Sequence, residues 1–483
     1  MPWGLNVTLG TAALVGTTAW LVRRNNVRPG PDAPWLAITA LLLGAAFLRR
    51  DAEPLAAFDM IAMVITLSLA AASLQGERVS TWYPFDYARG IVTAMFASVV
   101  GSLPLIFRDI QWAELPRDDR TRHVRGAVLG LLIAAPLLIV FAALFASADP
   151  VFNSVLSNLF ALNMESLIQH AVLIVFWGAV TTGYLRWGLL GKPFGVQSPT
   201  AKPIASVVPL ATALGLLNFL FLMFVVVQLR YFFGGASLVE ETSGLTFAQY
   251  ARQGFFQLVV ASGLVLPVLL GAEHLVGTGT VTQVRVFRQL AALLLVLLAV
   301  IMASALQRMR LYVAAYGLTD DRLYATAFMI LLIGVFAWFA GTVLRGVRHR
   351  FAFGALMQGF AVLAGLHILN PDAFIVKTNL NRPVAERPFD AIYAASLGAD
   401  AVPALIAALP RLNDADRCTI VGKLLDRWST LQSFDSLTVT GPVKADWRSW
   451  NWSRARARAL VSGRLEQLTT ACPSALKGRH DDH

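Results

Sequence analysis

Long apolar runs without a single charge constrain this chain more than any other feature. Residues 90–107, 126–146 and 325–344 contain no Asp, Glu, Lys or Arg. An α-helix rises about 1.5 Å per residue, so a run of about 20 apolar residues crosses the roughly 30 Å hydrocarbon core of a bilayer. Lipid cannot satisfy unpaired backbone groups, and the alternating pattern of strands is absent from these runs. They therefore predict transmembrane helices.

The composition agrees with a membrane protein of many spans. Of the 483 residues, 56% are hydrophobic and 14% are charged, whereas a soluble globular protein carries roughly 25% charged residues. The predicted fold class is all-α, a polytopic transmembrane helix bundle of about 11 spans with a small helical C-terminal soluble domain. The predicted spans are 5–21, 34–48, 55–75, 90–107, 126–146, 168–189, 206–229, 255–276, 289–306, 325–344 and 352–369. A more polar stretch at 149–169 predicts an amphipathic helix on the membrane surface.

The net charge of +11 lies mainly in short loops between the apolar runs. There the positive charges set topology and meet anionic lipid headgroups, so they do not indicate binding of nucleic acid. The N-terminus and alternate loops hold fifteen Lys and Arg residues, and the other loops hold ten. By the positive-inside rule the first set is cytoplasmic. Eleven spans then place the N-terminus inside and the C-terminal region outside.

The composition changes after residue 369. We predict a transmembrane domain over residues 1–369 and an extracytoplasmic helical domain over 370–483, which is rich in charged residues of both signs. Its predicted helices are 389–397, 402–409, 414–428 capped by Asp414, and 453–468 with Ser453 as N-cap. Both cysteines of the chain, Cys418 and Cys472, lie in this domain. Outside the cytoplasm they can form a disulfide, and the alternative is two unrelated thiols.

Motifs of known chemistry are missing from the sequence. It holds no Walker loop, no Rossmann fingerprint, no nucleophile elbow and no HExxH, so we predict no catalytic residues, no metal site and no cofactor. The ionisable and polar residues predicted to lie in spans become the candidates, because such groups are costly in lipid. They are Asp59, Asn218, Glu273 and His274, with His367 near the end of the last span. The alternative is interfacial placement for the ionisable groups and an interhelical hydrogen bond for Asn218.

The predicted outer face carries the unusual polar and aromatic sequence. Its candidate binding residues are Tyr250, Arg252, Arg308, Arg310, Tyr316, Arg322, Asn370 and Asp372. Arginine beside tyrosine suits anionic headgroups or sugars, and the alternative is an aromatic belt with paired arginines. Arg308 and Arg310 are two residues apart, so they cannot share one helix face. One of them should point into the bundle and bind a carboxylate, for which Asp320, Asp321 and Asp372 are available.

Six segments resemble a bacterial membrane family, domain of unknown function 4173, with the related family 4153 as second choice. They are FGG at 233–235, YARQGFF at 250–256, RMRLYVAAYGLTDDR at 308–322, NPDAFIVKTNL at 370–380, SLGADAVPAL at 396–405 and DWRSWNWSRARA at 446–457. The resemblance covers roughly residues 80–470. It implies a multi-pass protein of the bacterial cytoplasmic (inner) membrane and supplies no catalytic residue. Gln257 stands where the family pattern has an acidic residue.

Three functions fit these observations. The first is a non-catalytic envelope component, for assembly or sensing, that works through its outer face. The second is a transporter or lipid flippase, and the third is a membrane enzyme acting on lipid-linked substrates. The sequence favours the first, so an enzyme is the weaker interpretation. The expected partners are membrane lipids and other envelope proteins, and no nucleic acid is expected.

Overall fold

The computed structural model describes most of the chain. The described residues are 3–110, 130, 134, 138, 141–142, 144–149, 164–191, 206–243, 255–276, 279–382, 388–429 and 447–473. The predicted span at 126–146 and the predicted surface helix at 149–169 lie largely outside them. Two compact units divide the chain, and each is described by itself. Unit 1 comprises residues 1–91 and 193–483, and unit 2 comprises residues 92–192.

The described residues form helices joined by short turns, and no strand occurs among them, so the predicted all-α class is confirmed. We name the helices α1 to α16: α1 Leu5–Arg24, α2 Ala33–Arg49, α3 Glu53–Leu74, α4 Pro84–Val100, α5 Met164–Leu190, α6 Val208–Ser243, α7 Phe255–Val276, α8 Val281–Tyr316, α9 Asp320–Thr342, α10 Phe351–Leu369, α11 Pro371–Leu380, α12 Ala391–Ser396, α13 Val402–Ala408, α14 Asp414–Trp428, α15 Trp452–Ser462 and α16 Leu465–Ala471. Single 3₁₀ turns separate several of them.

Eight or nine candidate crossings of a membrane lie within the described residues. Eight are single helices that are long and apolar enough: α1, α3, α5, α6, α7, α8, α9 and α10. A ninth is α4 followed by residues 102–109, which bend by 48° from it. Helix α2 has 17 residues and is apolar, but it is shorter than these candidates. Helix α8 has 36 residues, about 54 Å at 1.5 Å per residue, so it extends beyond a hydrocarbon core on both sides.

Contacts between distant segments define the two ends of unit 1. At one end, which we call the domain end, the C-terminal domain meets the ends of α1, α2, α3, α8, α9 and α10. The contacts there include Leu5 with Trp450, Arg50 with Asp400, Asp59 with His367 and Leu318 with Asn379. At the opposite end, the far end, the contacts include Gly30 with Ser73, Asp32 with Ser80 and Glu273 with Arg348.

The shared domain end corrects the predicted placement of the termini. Leu5 N–H, at the start of α1, donates to the carbonyl oxygen of Trp450 over 2.9 Å. The first transmembrane helix therefore begins at the same end as the C-terminal domain, and a chain that returns to its starting side crosses an even number of times. Placing the N-terminus and the C-terminal domain on opposite faces is wrong.

Local sequence signals explain where helices begin and end at both ends of unit 1. At the far end α8 starts with a capping box, in which Thr280 and Gln283 each satisfy the other's backbone N–H. At the domain end α10 stops at Asn370, whose backbone is left-handed with φ 57° and whose side chain accepts from the N–H of Ala373. Pro371 follows at the first position of α11, where a missing N–H costs nothing. The chain therefore turns sharply out of the bundle at this point.

The core of the C-terminal domain continues into the membrane helices. Leu318 and Leu323, at the start of α9, belong to the same buried cluster as Ile375 of α11 and Leu405 of α13. The predicted boundary at 369/370 is not tested by this packing, because unit 1 contains the residues on both sides of it. The domain is thus packed directly onto the ends of the helices.

Two predicted details of the domain need correction, and one is confirmed. The N-cap of α14 is Asn413, which accepts from Asp416 N–H, and Asp414 lies in the first turn. The N-cap of α15 is Asn451 and not Ser453. The predicted disulfide is present between Cys418 and Cys472. It closes a loop of 54 residues and links α14 to the end of α16.

Candidate functional site

A network of buried carboxylates joins the C-terminal domain to the membrane helices. We call it the carboxylate junction, and it comprises Arg50, Asp51, Asp59, Asp320, Tyr324, His367, Asp372, Tyr393, Asp400, Asn451, Ser453 and Arg454. All of these residues belong to unit 1. They come from the turn between α2 and α3, from α3, α9, α10 and α11, and from three further segments of the domain.

Asp400 is the central acceptor of the junction. It lies in the turn before α13 and is 4% exposed. Its carboxylate accepts from Arg50 Nη1 over 2.9 Å, from the backbone N–H of Asp51 over 2.7 Å and from the hydroxyl of Ser453 over 2.6 Å. A buried carboxylate is tolerated when it is paired with a cation and its remaining acceptors are filled. Asp400 therefore ties the turn between α2 and α3 to two segments of the domain.

The segment that contains Gly398 approaches the turn between α2 and α3 so closely that a glycine is required. A Cβ built on Gly398 would collide with the carbonyl oxygen of Asp51 and would lie 2.7 Å from the carboxylate of Asp372. The backbone N–H of Gly398 donates to that same carboxylate over 2.9 Å. The sequence Gly398-Ala-Asp400 thus supplies the contact surface, a backbone donor and the central acceptor within three residues.

Asn451 and Ser453 complete the end of α2. The last carbonyl groups of a helix have no partner within it. Here the Asn451 amide donates to the carbonyl oxygens of Phe47 and Arg50 over 2.9 and 2.8 Å. The Ser453 hydroxyl lies 3.0 Å from the carbonyl oxygen of Arg49, within hydrogen-bonding distance. The C-terminal domain therefore acts as the cap of a transmembrane helix.

One further ion pair and one hydrogen bond lie beside Asp400. Arg454 Nε binds Asp51 over 2.9 Å, and Arg50 also donates to the carbonyl oxygen of His367. Burial raises the pKa of Asp51 above its ordinary value, and the neighbouring Arg454 opposes that rise. Inside the bundle His367 Nε2 lies 2.9 Å from Asp59, whose side chain is only 2% exposed. This pair joins α3 to α10 just below the domain.

Asp372 and Asp320 form the second carboxylate group. Burial, together with the charges of Asp320 and Asp400, raises the pKa of Asp372 to about 7. The hydroxyl of Tyr393 accepts from the backbone N–H of Asp320 over 2.8 Å and donates to its carboxylate over 3.3 Å. The other carboxylate oxygen of Asp320 is buried without a hydrogen bond. These groups lie close enough for each to act on the proton affinity of the others.

Tyr324 links the junction to the membrane helices. Its side chain lies on α9, it is 8% exposed, and its hydroxyl is buried without a hydrogen-bond partner. The charges of Asp372, Asp320, Asp59 and Asp400 all act on that hydroxyl. A buried hydroxyl without a hydrogen-bond partner costs free energy. The packing of the described residues does not explain why the Tyr324 hydroxyl is buried without one.

The junction lacks the geometry of a metal centre or of an open catalytic cleft. Within the described part of the chain no three His, Cys, Asp or Glu side chains are placed to hold a metal ion. The carboxylate oxygens of Asp400 bind protein donors, and Asp372 is only 3% exposed. The arrangement can hold and exchange protons between carboxylates, and it can make docking of the domain depend on them.

The predicted outer-face residues divide among several places. Tyr250 and Arg252 lie outside the described residues. Arg322 stacks over the ring of Tyr312 at 4.0 Å and Tyr316 packs edge-on against that ring, so two of the predicted residues do converge. Asn370 caps α11, and Asp372 belongs to the junction.

The predicted clasp of Arg308 and Arg310 stays a prediction. Arg308 is half-buried and Arg310 is exposed, whereas Met309 between them is 3% exposed. Asp320 binds Tyr393 and Asp372 binds Gly398 instead. The apolar side chain takes the inward position, because burying an arginine there would require desolvating its charge.

The predicted intramembrane residues each have a partner. The amide of Asn218 donates across the α6–α8 contact to the carbonyl oxygen of Leu290 over 3.1 Å, as expected for an interhelical hydrogen bond. At the far end Glu273 binds Arg348 over 2.8 Å, and His274 stacks on Phe85. Asp59 binds His367, so of the four residues only Asp59 reaches the junction.

Sequence reasoning missed Arg50, Asp51, Asp400, Asn451, Ser453 and Arg454 as site residues. Four of the segments quoted above for their family resemblance nevertheless meet here, and one of them, 370–380, contains Asp372. The segment at 308–322 ends at Asp320 and its neighbours, 396–405 contains Gly398 and Asp400, and 446–457 contains Asn451, Ser453 and Arg454. Distinctive sequence marked the right segments, but a single sequence does not show which of them meet.

A family model covers most of this structure. The model of a domain of unknown function, DUF4153, matches residues 37–408. The chain belongs to this family. It is the second of the two families named from the sequence, and membership of family 4173 is not shown. The DUF4153 match includes all five aspartates of the junction and ends before Asn451. Neither a curated protein nor a solved structure matches the chain.

Proposed function

We propose that this DUF4153 protein is a non-catalytic sensory component of the cell envelope, whose C-terminal domain docks on its membrane helices through the carboxylate junction in a proton-dependent manner. The observation that carries the proposal is that the groups around Asp400 bind other groups of the protein itself. Asp400 binds Arg50, Ser453 and the backbone of Asp51, so each contact joins the domain to itself or to the spans. A site for substrate would leave such groups facing a cavity.

The balance of charge supports control by protons. Five carboxylates meet two arginines and one histidine, since Arg50, Arg454 and His367 are the basic groups in direct contact with them. Like charges at this spacing favour the protonated form of one member. Asp372 is the member whose pKa is raised to about 7, and Asp320, Asp400, Asp51, Tyr324 and Tyr393 are the titratable groups around it.

The direction in which pH changes docking follows from the difference between the pKa of Asp372 in the docked state and in the undocked state. The pKa of Asp372 is raised from 3.8 to about 7 in the docked state, so the docked state binds more protons than the undocked state between these values. Its contribution to docking is fully present below the lower value and is lost as the pH rises through the higher one. The raised pKa of Asp51 acts in the same direction. Docking should therefore strengthen on acidification within this range.

The orientation that fits the structure places both described chain ends outside the cytoplasm. Ten arginines lie at the far end: Arg23, Arg24, Arg28, Arg78, Arg89, Arg285, Arg288, Arg345, Arg348 and Arg350. Among the described residues of unit 1, six arginines lie on the spans and turns of the domain end: Arg49, Arg50, Arg230, Arg308, Arg310 and Arg322. The positive-inside rule then makes the far end cytoplasmic. The disulfide between Cys418 and Cys472 supports the same orientation, because disulfides persist outside the cytoplasm.

Hydrogen exchange of the full-length protein in lipid nanodiscs tests the proposal. In the unmodified protein, exchange of the backbone at 47–51 and in α15 should accelerate as the pH rises from about 4 to about 8, after correction for intrinsic exchange. Asp372→Asn cannot ionise at this position, so its corrected exchange should depend on pH less steeply than that of the unmodified protein. Asp426→Asn removes an exposed carboxylate on α14 and should behave as the unmodified protein. Equal pH profiles for Asp372→Asn and the unmodified protein would refute proton control.

A further inference from the structure

An apolar groove opens between α3, α9 and α10. Its volume is about 300 Å³. The residues that matter for the argument are Phe58, Ile61, Tyr324, Phe328, Gly359 and Leu363. Phe58, Ile61 and Phe328 are 43%, 58% and 42% exposed, so the groove opens on the outside of the bundle. That outside faces lipid, because all three helices are candidate spans.

The groove complements a ligand without charge. Apart from the Tyr324 hydroxyl, its lining consists of hydrocarbon side chains and glycine. Water in such a site would find no polar partner, and a headgroup would lose its hydration without compensation. Among the parts of a phospholipid, the acyl chain matches these walls, because it carries no group that needs a polar partner.

Gly359 creates part of this space. A Cβ built there would meet no atom within 4 Å. Small residues in transmembrane helices usually allow close packing with a neighbour, but here the glycine faces a gap. Protein interiors leave few voids, because the atoms around a void lose dispersion contacts. An acyl chain that fills the groove would restore those contacts.

We propose that the groove between α3, α9 and α10 binds one acyl chain of a bilayer phospholipid. Tyr324 gives this binding a consequence. Its ring lines the groove, whereas its buried hydroxyl lies among the carboxylates of the junction. An acyl chain against the ring fixes the hydroxyl in place and so stabilises docking of the domain. This second step rests on the proposed function, and binding of the chain does not.

Photolabelling with matched glycine variants tests the binding. The full-length protein is placed in vesicles of phosphatidylethanolamine and phosphatidylglycerol that contain a phosphatidylcholine with a diazirine in its acyl chain. Gly359→Leu places a side chain in the groove. Gly365→Leu is the control, because Gly365 lies on the same helix, also has open space around its Cβ, and does not line the groove. Labelled peptides are identified by mass spectrometry.

The expected result is strong labelling of α3, α9 and α10 around the groove, reduced several-fold by Gly359→Leu and unchanged by Gly365→Leu. Labelling spread evenly over the lipid-facing helices, or equal in both variants, overturns the acyl-chain site. Cross-linking of the groove to a second copy of the chain also overturns it. Hydrogen exchange of α15 in delipidated protein then separates the two steps. Unchanged exchange after delipidation overturns the Tyr324 coupling and leaves the binding result intact, and the pH profile of Asp372→Asn judges the proposed function independently.

Discussion

At the scale of single residues, the junction depends on charges that have partners in both parts of the protein. Asp400→Ala should destabilise docking strongly, because it leaves the guanidinium of Arg50, which is only 12% exposed, without its carboxylate. Breaking a buried pair in this way costs roughly 3–5 kcal/mol. Thermal unfolding of the purified protein, followed through the fluorescence of the tryptophans in the domain, measures the loss.

Asp414→Ala is the matched control for that substitution. It also removes an aspartate bound to an arginine, Arg417, but its side chain is 90% exposed. An exposed pair contributes about 0–1 kcal/mol. If both variants lose the same stability, the junction does not hold the domain. Should Asp400→Ala fail to fold, Asp400→Asn keeps acceptor and shape and is expected to show a smaller loss in the same direction.

Sequence could identify some residues of the junction but not their partners. Asp59, His367 and Asp372 stood out individually, because ionisable groups in or beside apolar runs are costly. Their partners could not be predicted, since Asp59 and His367 are 308 residues apart and Arg50 and Asp400 are 350 apart. The orientation of Arg308 and Arg310 could not be predicted from spacing for a related reason. Spacing shows that two side chains leave a helix on different faces, but it does not show that the residue between them, Met309, takes the inward face.

At the scale of elements, the helices were predictable and their caps were not. Apolar runs of 18 residues or more carry the spans, because their length and lack of charge match a bilayer. Caps depend on one side chain and its backbone geometry. Asp414 and Ser453 were therefore plausible N-caps, although the N-caps in the structure are Asn413 and Asn451. The cap of α2 was beyond sequence reasoning, since its donors lie about 400 residues away.

Asn451→Ala should therefore weaken two elements at once. It removes the N-cap of α15, worth about 1 kcal/mol, and it leaves the carbonyl oxygens of Phe47 and Arg50 without the amide, at about 1–3 kcal/mol. Asn413→Ala removes only the cap of α14 and serves as the control. Hydrogen exchange should show faster exchange at 47–51 in Asn451→Ala alone. A loss confined to α15 would mean that the amide does not hold the end of α2.

At the scale of the whole molecule, the two sets of loops differ only modestly in their content of Lys and Arg. The predicted sides of the two termini therefore depended on whether the number of spans is odd or even. Charge counting assumed that all eleven apolar runs cross, and a single error in that number moves the N-terminus to the other face. The contact between Leu5 and Trp450 does not depend on the number of spans, because it joins the start of α1 directly to the C-terminal domain. The disulfide likewise concerns only the domain. Orientation therefore follows better from contacts at the domain end, combined with the arginines of the far end, than from the sequence alone.

The resulting topology can be tested by labelling introduced cysteines with a membrane-impermeant maleimide. The two native cysteines are bonded to each other and should not react. Trp3→Cys and Ser396→Cys report the domain end, and Asn25→Cys reports the far end, all at exposed positions. In intact cells Trp3→Cys and Ser396→Cys should be labelled, and Asn25→Cys only after permeabilisation, because the far end carries the excess of arginine. Labelling of Trp3→Cys and Ser396→Cys from different sides would contradict the shared domain end. Labelling of Asn25→Cys alone in intact cells would invert the orientation and leave the fold unchanged.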